Sequence, residues 1–190
     1  MKILILFGPP FSGKGTQGEL LARKLQYKHI STGELLRKEK ELNSEMGIIA
    51  QEYSKKGLLV PDDLLEKLVD RELKANFASK GIILDGYPRT IPQAETLFKL
   101  STHYQVHIQK VIFLQVNEAE LILRGVNRGL TSNREDDQNP EVMKKRIDVY
   151  HSETQPVADF YAKMNLVAAV DGQGDSTEIT ARIIESITSL

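Results

Sequence analysis

With 190 residues, 41% of them hydrophobic, the chain holds enough apolar material for one compact domain with room for inserted flaps. Its 25 basic and 26 acidic side chains nearly cancel, and no Lys/Arg block is long enough to suggest a nucleic-acid surface. Cysteine is absent, which excludes disulfides and thiol-ligated zinc and fits a reducing compartment. No apolar run approaches the ~20 residues of a membrane span. The sequence opens directly on a strand pattern with no signal or transit segment, so a cytoplasmic protein is expected.

In chain order, the apolar run at residues 2–7 reads as a strand and residues 17–25 as an amphipathic helix. Between them lies Gly8-Pro-Pro-Phe-Ser-Gly-Lys-Gly-Thr16, a glycine-bearing turn in the strand–turn–helix setting that a phosphate-binding loop requires. Such a turn exposes successive backbone N–H groups, and the helix N-terminus adds the positive end of its dipole. Lys14 supplies a mobile charge for the β- and γ-phosphates of a nucleoside triphosphate, and Thr16 a hydroxyl near them. The spacing is G-x-x-x-x-G-K followed by glycine, with Thr16 one residue later. The bland alternative is an ordinary turn with a surface lysine. Phe11 is bulky for this loop and must keep φ negative or accept roughly 1–2 kcal/mol of strain.

Further strands are read at 81–84, 110–116 and 166–170, with a weaker one at 28–30. None alternates apolar with polar, so both faces of the sheet should be covered. Strands separated by helices predict an α/β fold: a parallel sheet of about five strands between helical layers, with ligands at the strands' C-terminal ends. Ser31 to Glu34 has capping-box spacing, residues 44–53 read as a short helix, and Asp62 and Asp63 open a long one ending near Ala78. So much helix between two strands exceeds a crossover, and part of it reads as an inserted flap.

Asp85-Gly-Tyr-Pro-Arg89 closes a strand with a carboxylate suited to a magnesium hydration shell, or with an ordinary Asp-Gly turn. Thr90 to Gln93 repeats the capping-box spacing, which offers Gln93 a structural role. Asn117 to Glu120 caps a helix carrying Arg124 and Arg128 at i, i+4, interrupted by Gly125 at a cost of about 1 kcal/mol relative to alanine. Residues 129–139 are polar and read as a short mobile loop. Asn139-Pro140 then starts a helix running through Arg146 to about Tyr161, kinked at Pro156, and Asp175 to Glu178 caps the last helix. Singly, Arg37, Arg89, Arg124, Arg128, Arg134 and Arg146 read as solvated. Together, at strand ends and around a glycine-bearing loop, they suit bidentate phosphate binding.

The stretches GPPFSGKGTQ, HISTGELLR, GLLVPDDL, ILDGYPRT-IPQ, NRGLTSNREDD and KKRIDVYHSETQPVADFY, in this order and spacing, resemble adenylate kinases of the short-lid type over essentially the whole chain. The resemblance implies a P-loop α/β/α core at 1–30, 61–128 and 140–190. It adds a monophosphate-binding flap at 31–60 and a lid at 129–139. It implies ATP bound by Phe11, Ser12, Gly13, Lys14, Gly15, Thr16, Arg124, Arg128 and Gly174. AMP would be held by Thr32, Arg37, Leu58, Leu59, Val60, Gly86, Tyr87, Pro88, Arg89 and Gln93. Arg134 and Arg146 would reach both phosphate chains. Lys14, Arg89, Arg128, Arg134 and Arg146 would be catalytic, and Asp85 would hold Mg2+ through water. The implied reaction is ATP + AMP to 2 ADP, in a monomer without structural zinc, nucleic acid or membrane.

The family usually has glycine where Phe11 and Asn133 stand, the stretch from Arg134 to Arg146 is one residue longer than in common short lids, and Gly125 is unusual and expected to loosen the lid. Two alternatives are a UMP/CMP kinase on the same fold, against which Thr32 and Gln93 argue, and a nucleotide-binding module that Phe11 has impaired.

Overall fold

A computed structural model of the chain describes residues 1–131 and 135–188. Five strands, β1 (Lys2–Phe7), β2 (Lys28–Ser31), β3 (Gly81–Asp85), β4 (His107–Gln115) and β5 (Val167–Asp171), form one sheet in the order β2-β3-β1-β4-β5. Every pairing is parallel. Alternate side chains of β1 enter opposite cores. Ile3, Ile5 and Phe7 pack with one cluster, which includes Leu68, Leu97 and Tyr161. Leu4 and Leu6 pack with the other, which includes Leu21 and Ile183. Burial on both faces explains the unbroken apolar runs.

The helices that supply these faces are α1 (Lys14–Leu25) and α10 (Ser176–Thr188) on one side. On the other lie α4 (Asp62–Ala75), α5 (Ile91–His103) and α9 (Pro156–Ala162). The helix after β1 thus covers one face and the helix after β3 the other. Adjacent strands whose connections leave in opposite directions open a crevice at their carboxyl ends, where open α/β sheets bind ligands. The register brings Leu6 beside Asp85 and Ser31 beside Asp85, so three loops meet at that crevice.

Two segments stand over it. After β2, α2 (Thr32–Glu41) and α3 (Glu45–Lys55) pack together, with Gly47 against the Glu39 backbone where no Cβ would fit. After β4, α6 (Glu118–Thr131) leads to the short α7 (Glu135–Gln138) and then α8 (Pro140–Val149). Asn139 caps α8 as its spacing predicts, accepting from the N–H groups of Glu141 and Val142 at 2.9 and 3.4 Å.

Several boundaries differ from the sequence reading. β4 begins at His107, ahead of residue 110, because His107 and Ile108 continue the pairing with β1 despite their mixed polarity. Helix α4 ends at Ala75, short of Ala78, and α1 begins earlier, at Lys14. The described part of residues 129–139 is mostly helical: α6 runs on to Thr131 and α7 follows. The long helix to Tyr161 is interrupted at Tyr150–Thr154 by a π-helical turn, with Gln155 N–H donating to Tyr150 O at 2.8 Å. Pro156 has no N–H and its ring would strike the preceding turn, and the widened turn relieves that conflict.

Candidate active site

The phosphate loop begins where β1 ends. Gly8 takes φ +147, and a Cβ there would lie 2.9 Å from Leu114 O. Gly13 takes φ +93 as the N-cap of α1 and gives no side-chain cap. The first N–H groups of α1 are therefore left for an anion. Lys14 Nζ donates to Gly8 O at 2.8 Å and Pro9 O at 2.7 Å, so it lies within the loop. Burial pushes its ammonium down to about 7 despite the attraction of Asp85, and Arg89, Arg146 and Arg128 act in the same direction as burial. Negative phosphates would restore the proton. Calorimetry in buffers of different ionisation enthalpy should show uptake of up to about one proton on nucleotide binding near pH 8.5, and none in Lys14→Met.

Asp85 ends β3 at the floor of the cleft, 8% exposed. A Cβ on Gly15 would lie 3.8 Å from its Oδ2, which sets the carboxylate against the phosphate loop. Burial raises its pKa, but His29, Lys14 and Arg89 outweigh that and hold the carboxyl below its usual range. No group of three or more metal-ligating side chains occurs among the described residues. A single ionised carboxylate beside a phosphate loop nevertheless suits Mg2+, which keeps several waters and shares its remaining positions with phosphates.

On the β2 and β3 side, Thr32 Oγ1 donates to Gly86 O at 2.9 Å. The Ser31 side chain makes no cap bond, so the capping box expected there is not formed. Gly86 has φ +81, and a Cβ would sit 2.7 Å from Thr32 Oγ1 and 2.9 Å from an Arg89 Nη. Arg89 Nε donates to Gly86 O at 2.8 Å, and its backbone N–H to Gln93 Oε1 at 2.7 Å. Gln93 Nε2 donates to Asp62 Oδ1 at 2.6 Å, while Thr90 caps α5 through the Gln93 N–H at 3.3 Å. Tyr87 and Gln93 are each 1% exposed and stand behind the cleft wall, where Tyr87 O–H donates to Gln93 O at 3.2 Å. Gln93 thus holds the Arg89 loop against α4.

From the far side, Arg124 joins two loops: Nη2 donates to Gly172 O at 3.0 Å and Nη1 to Ser12 O at 3.4 Å. Gly174, at φ +102, is exposed beyond them. Arg128 and Arg146 converge on Asp137, whose side chain is fully buried. Arg128 Nη2 and Arg146 Nη1 each donate to Oδ1 at 2.7 Å, and Arg128 Nε stands 2.7 Å from Oδ2. Asp137 was not singled out from sequence; the run of three acidic residues, Glu135 to Asp137, flanked by Arg128, Arg134 and Arg146 was the available signal. Arg134 lies outside the described residues, as does Asn133.

Phe11 adopts φ +67, the strained choice. Its ring is buried with Leu121 and Met143. Gly125 faces it, and a Cβ there would lie 3.3 Å from the ring and run into Met143 Cε. The missing side chain at Gly125 leaves room for Met143 Cε and the Phe11 ring. Gly125→Ala should therefore lower the melting temperature of the native chain. In Phe11→Gly, where the end of Met143 can swing into the vacated space, the same change should recover up to about 1 kcal/mol from helix propensity, which paired melting curves would show.

These groups line a cleft of about 610 Å³. Of the residues singled out above, Phe11, Gly13 to Thr16, Thr32, Arg37, Leu58 to Val60, Asp85, Gly86, Pro88, Arg89, Arg124, Arg128 and Arg146 line it. Lys40 and Lys55, not foreseen, add cations on the α2 and α3 side. The turn after α3 meets α8 at Gly57, φ +66, where a Cβ would come 3.0 Å from Val142 O.

A switch that binds one nucleotide needs a single phosphate cradle. Here a second set of cations faces the first across the same space, as a P-loop kinase of a phosphate-bearing acceptor requires. Comparison with known proteins narrows that class. The family model described as "Adenylate kinase" matches residues 6–166. The chain is similar to the adenylate kinase of Parabacteroides distasonis, 43% identical over 187 residues covering 98% of both chains. It is also similar to that of Porphyromonas gingivalis, 45% identical over 180 residues covering 95% of this chain and 92% of the relative. A third relative, the adenylate kinase of Stenotrophomonas maltophilia, is 41% identical over 184 residues, 97% of this chain and 98% of the relative. The chain belongs to the adenylate kinase family. It is a phosphotransferase, a nucleoside monophosphate kinase acting on adenine nucleotides.

Proposed function

We propose that the cleft binds ATP and AMP tail to tail and moves the γ-phosphoryl group from one to the other, giving 2 ADP. The observation that carries this reading is the convergence of Lys14, Arg128 and Arg146, from three helices, and Arg89, from the loop after β3, on one cleft floored by Asp85. Phe11 to Thr16, with Arg124, Arg128 and the backbone of Gly174, take ATP. Thr32, Arg37, Leu58 to Val60, Gly86 to Arg89 and Gln93 form the AMP side. Arg146 reaches both phosphate chains, a role that the resemblance also gives to Arg134, outside the described residues.

The acceptor is already an ionised phosphate, so no general base is needed. Lys14 and the N–H groups of α1 fix the donor phosphates, and Arg89 orients the acceptor. Arg128 and Arg146 stabilise the charge that builds on the transferred group. Asp85 would hold Mg2+ through water, and the ion bound with nucleotide would neutralise charge on the phosphates. Residues 31–60 close as a flap and 129–139 as a lid over a core of 1–30, 61–128 and 140–190. Closure excludes the water that would otherwise hydrolyse ATP.

A UMP or CMP acceptor is not favoured, since the relatives reported above are each named adenylate kinase. The chain acts as a cytoplasmic monomer on small nucleotides, without nucleic acid or membrane partners; no described helix is long and apolar enough to cross a membrane. Initial rates of ADP formation with AMP, UMP, CMP and GMP test the reading. AMP should be used at least about tenfold better, the worth of one or two base-specific hydrogen bonds. Equal or better use of UMP would overturn it.

A further inference from the structure

Phe11 is paradoxical as a loop residue. Its backbone lies where glycine is favoured, yet its ring is almost wholly enclosed, 6% exposed. The surroundings resolve the paradox. The ring lies against α6 at Gly125, and Leu121 and Met143 pack with it. The guanidinium carbons of Arg128 and Arg146 stand 4.7 and 5.3 Å from the ring centroid. Asp137 pulls on the same two guanidinium groups through their nitrogens. Each cation is thus held between a carboxylate and an aromatic ring, and the ring belongs to the loop that cradles phosphate. A cation within about 6 Å of an aromatic centroid is attracted by the ring's quadrupole, more strongly when partly desolvated.

We propose that Phe11 is a positioning residue: its ring is the platform that orients Arg128 and Arg146 and fastens α6 and α8 to the phosphate loop. This rests on the reading above that both arginines serve the phosphate chains. The glycine at position 125 completes the device, because a side chain there would strike Met143 Cε and crowd the ring packed beside it.

The test compares the native enzyme with Phe11→Leu and with pentafluorophenylalanine at position 11, which keeps the ring's shape but reverses the charge of its face. Steady-state kcat, KM for ATP and AMP, and melting curves are read for each. Both variants should lose about five- to thirtyfold in kcat, with KM for AMP little changed. The fluorinated protein should melt close to the native one, so its loss cannot be assigned to misfolding. Native kcat in the fluorinated protein would overturn the proposal, as would a rise in turnover in Phe11→Gly, which would mean that the ring only obstructs the loop. Arg128→Lys is made alone and with Phe11→Leu. No effect of the single lysine change would count against the arginine's own role. A sizeable effect that simply adds to that of Phe11→Leu would leave that role intact and sink the platform.

Discussion

Lys14→Met should lower kcat by about 10²–10³-fold, the usual cost of removing one preorganised donor to developing phosphate charge. No other group on the loop can substitute. Thr16 is neutral, and Arg124 is held by Glu120, Gly172 O and Ser12 O. The same substitution should not weaken the fold. Burial holds the Lys14 ammonium near pKa 7, well below its ordinary value. As pH falls from about 10 toward 7, the unfolded chain takes up this proton and the folded chain resists it, so native stability declines over that window. Lys14→Met removes the decline. Its melting temperature should rise relative to the native protein as pH is lowered from about 10 to 7, and the difference should level off below about pH 6. Parallel melting curves and rate measurements would expose either failure: a destabilised variant at neutral pH, or one that retains turnover.

Asp137→Asn should cost the second-largest amount. The carboxylate is fully enclosed and meets two guanidinium groups at 2.7 Å. Each charge-assisted hydrogen bond of this kind is worth about 1.5–3 kcal/mol. Arg128 is 33% exposed and Arg146 22%, so solvent screening reduces the contribution of both contacts. We expect kcat to fall about ten- to hundredfold as both arginines lose their orientation. The opposite outcome has a clear physical meaning. If Asp137 merely competes with phosphate for the arginines, the amide variant would bind nucleotide more tightly and turn over no more slowly. Titration with a non-hydrolysable ATP analogue, alongside kinetics, separates the two.

Much of this architecture was legible in the sequence because local chemistry and global fold agree there. The run Lys2–Phe7 can only be a buried strand, and the glycines after it permit φ values that the loop needs. Asn117, Asn139 and Asp175 cap helices as their spacing predicts, with N–H groups bonded to each side chain at 2.7–2.9 Å. Ser31 fails as a cap because it is also the last residue of β2, paired beside Asp85, and the sheet sets its position. Gln93 shows a subtler limit. Its spacing from Thr90 predicted the cap, but not that its amide would reach Arg89 N and Asp62, which depends on α4 packing against α5. Asp137 read as loop polarity because its partners come from helices on either side of it. Phe11 and Gly125 looked like two independent oddities, and only the packing of Phe11 and Met143 against α6 brings them together.

Isothermal titration with diadenosine pentaphosphate, two adenosines joined through their phosphates, addresses the two-nucleotide cleft most directly. One inhibitor should bind per chain, competitive against both ATP and AMP, with affinity falling sharply in Lys14→Met. Competition against ATP alone, with AMP still able to bind the inhibited enzyme, would contradict it.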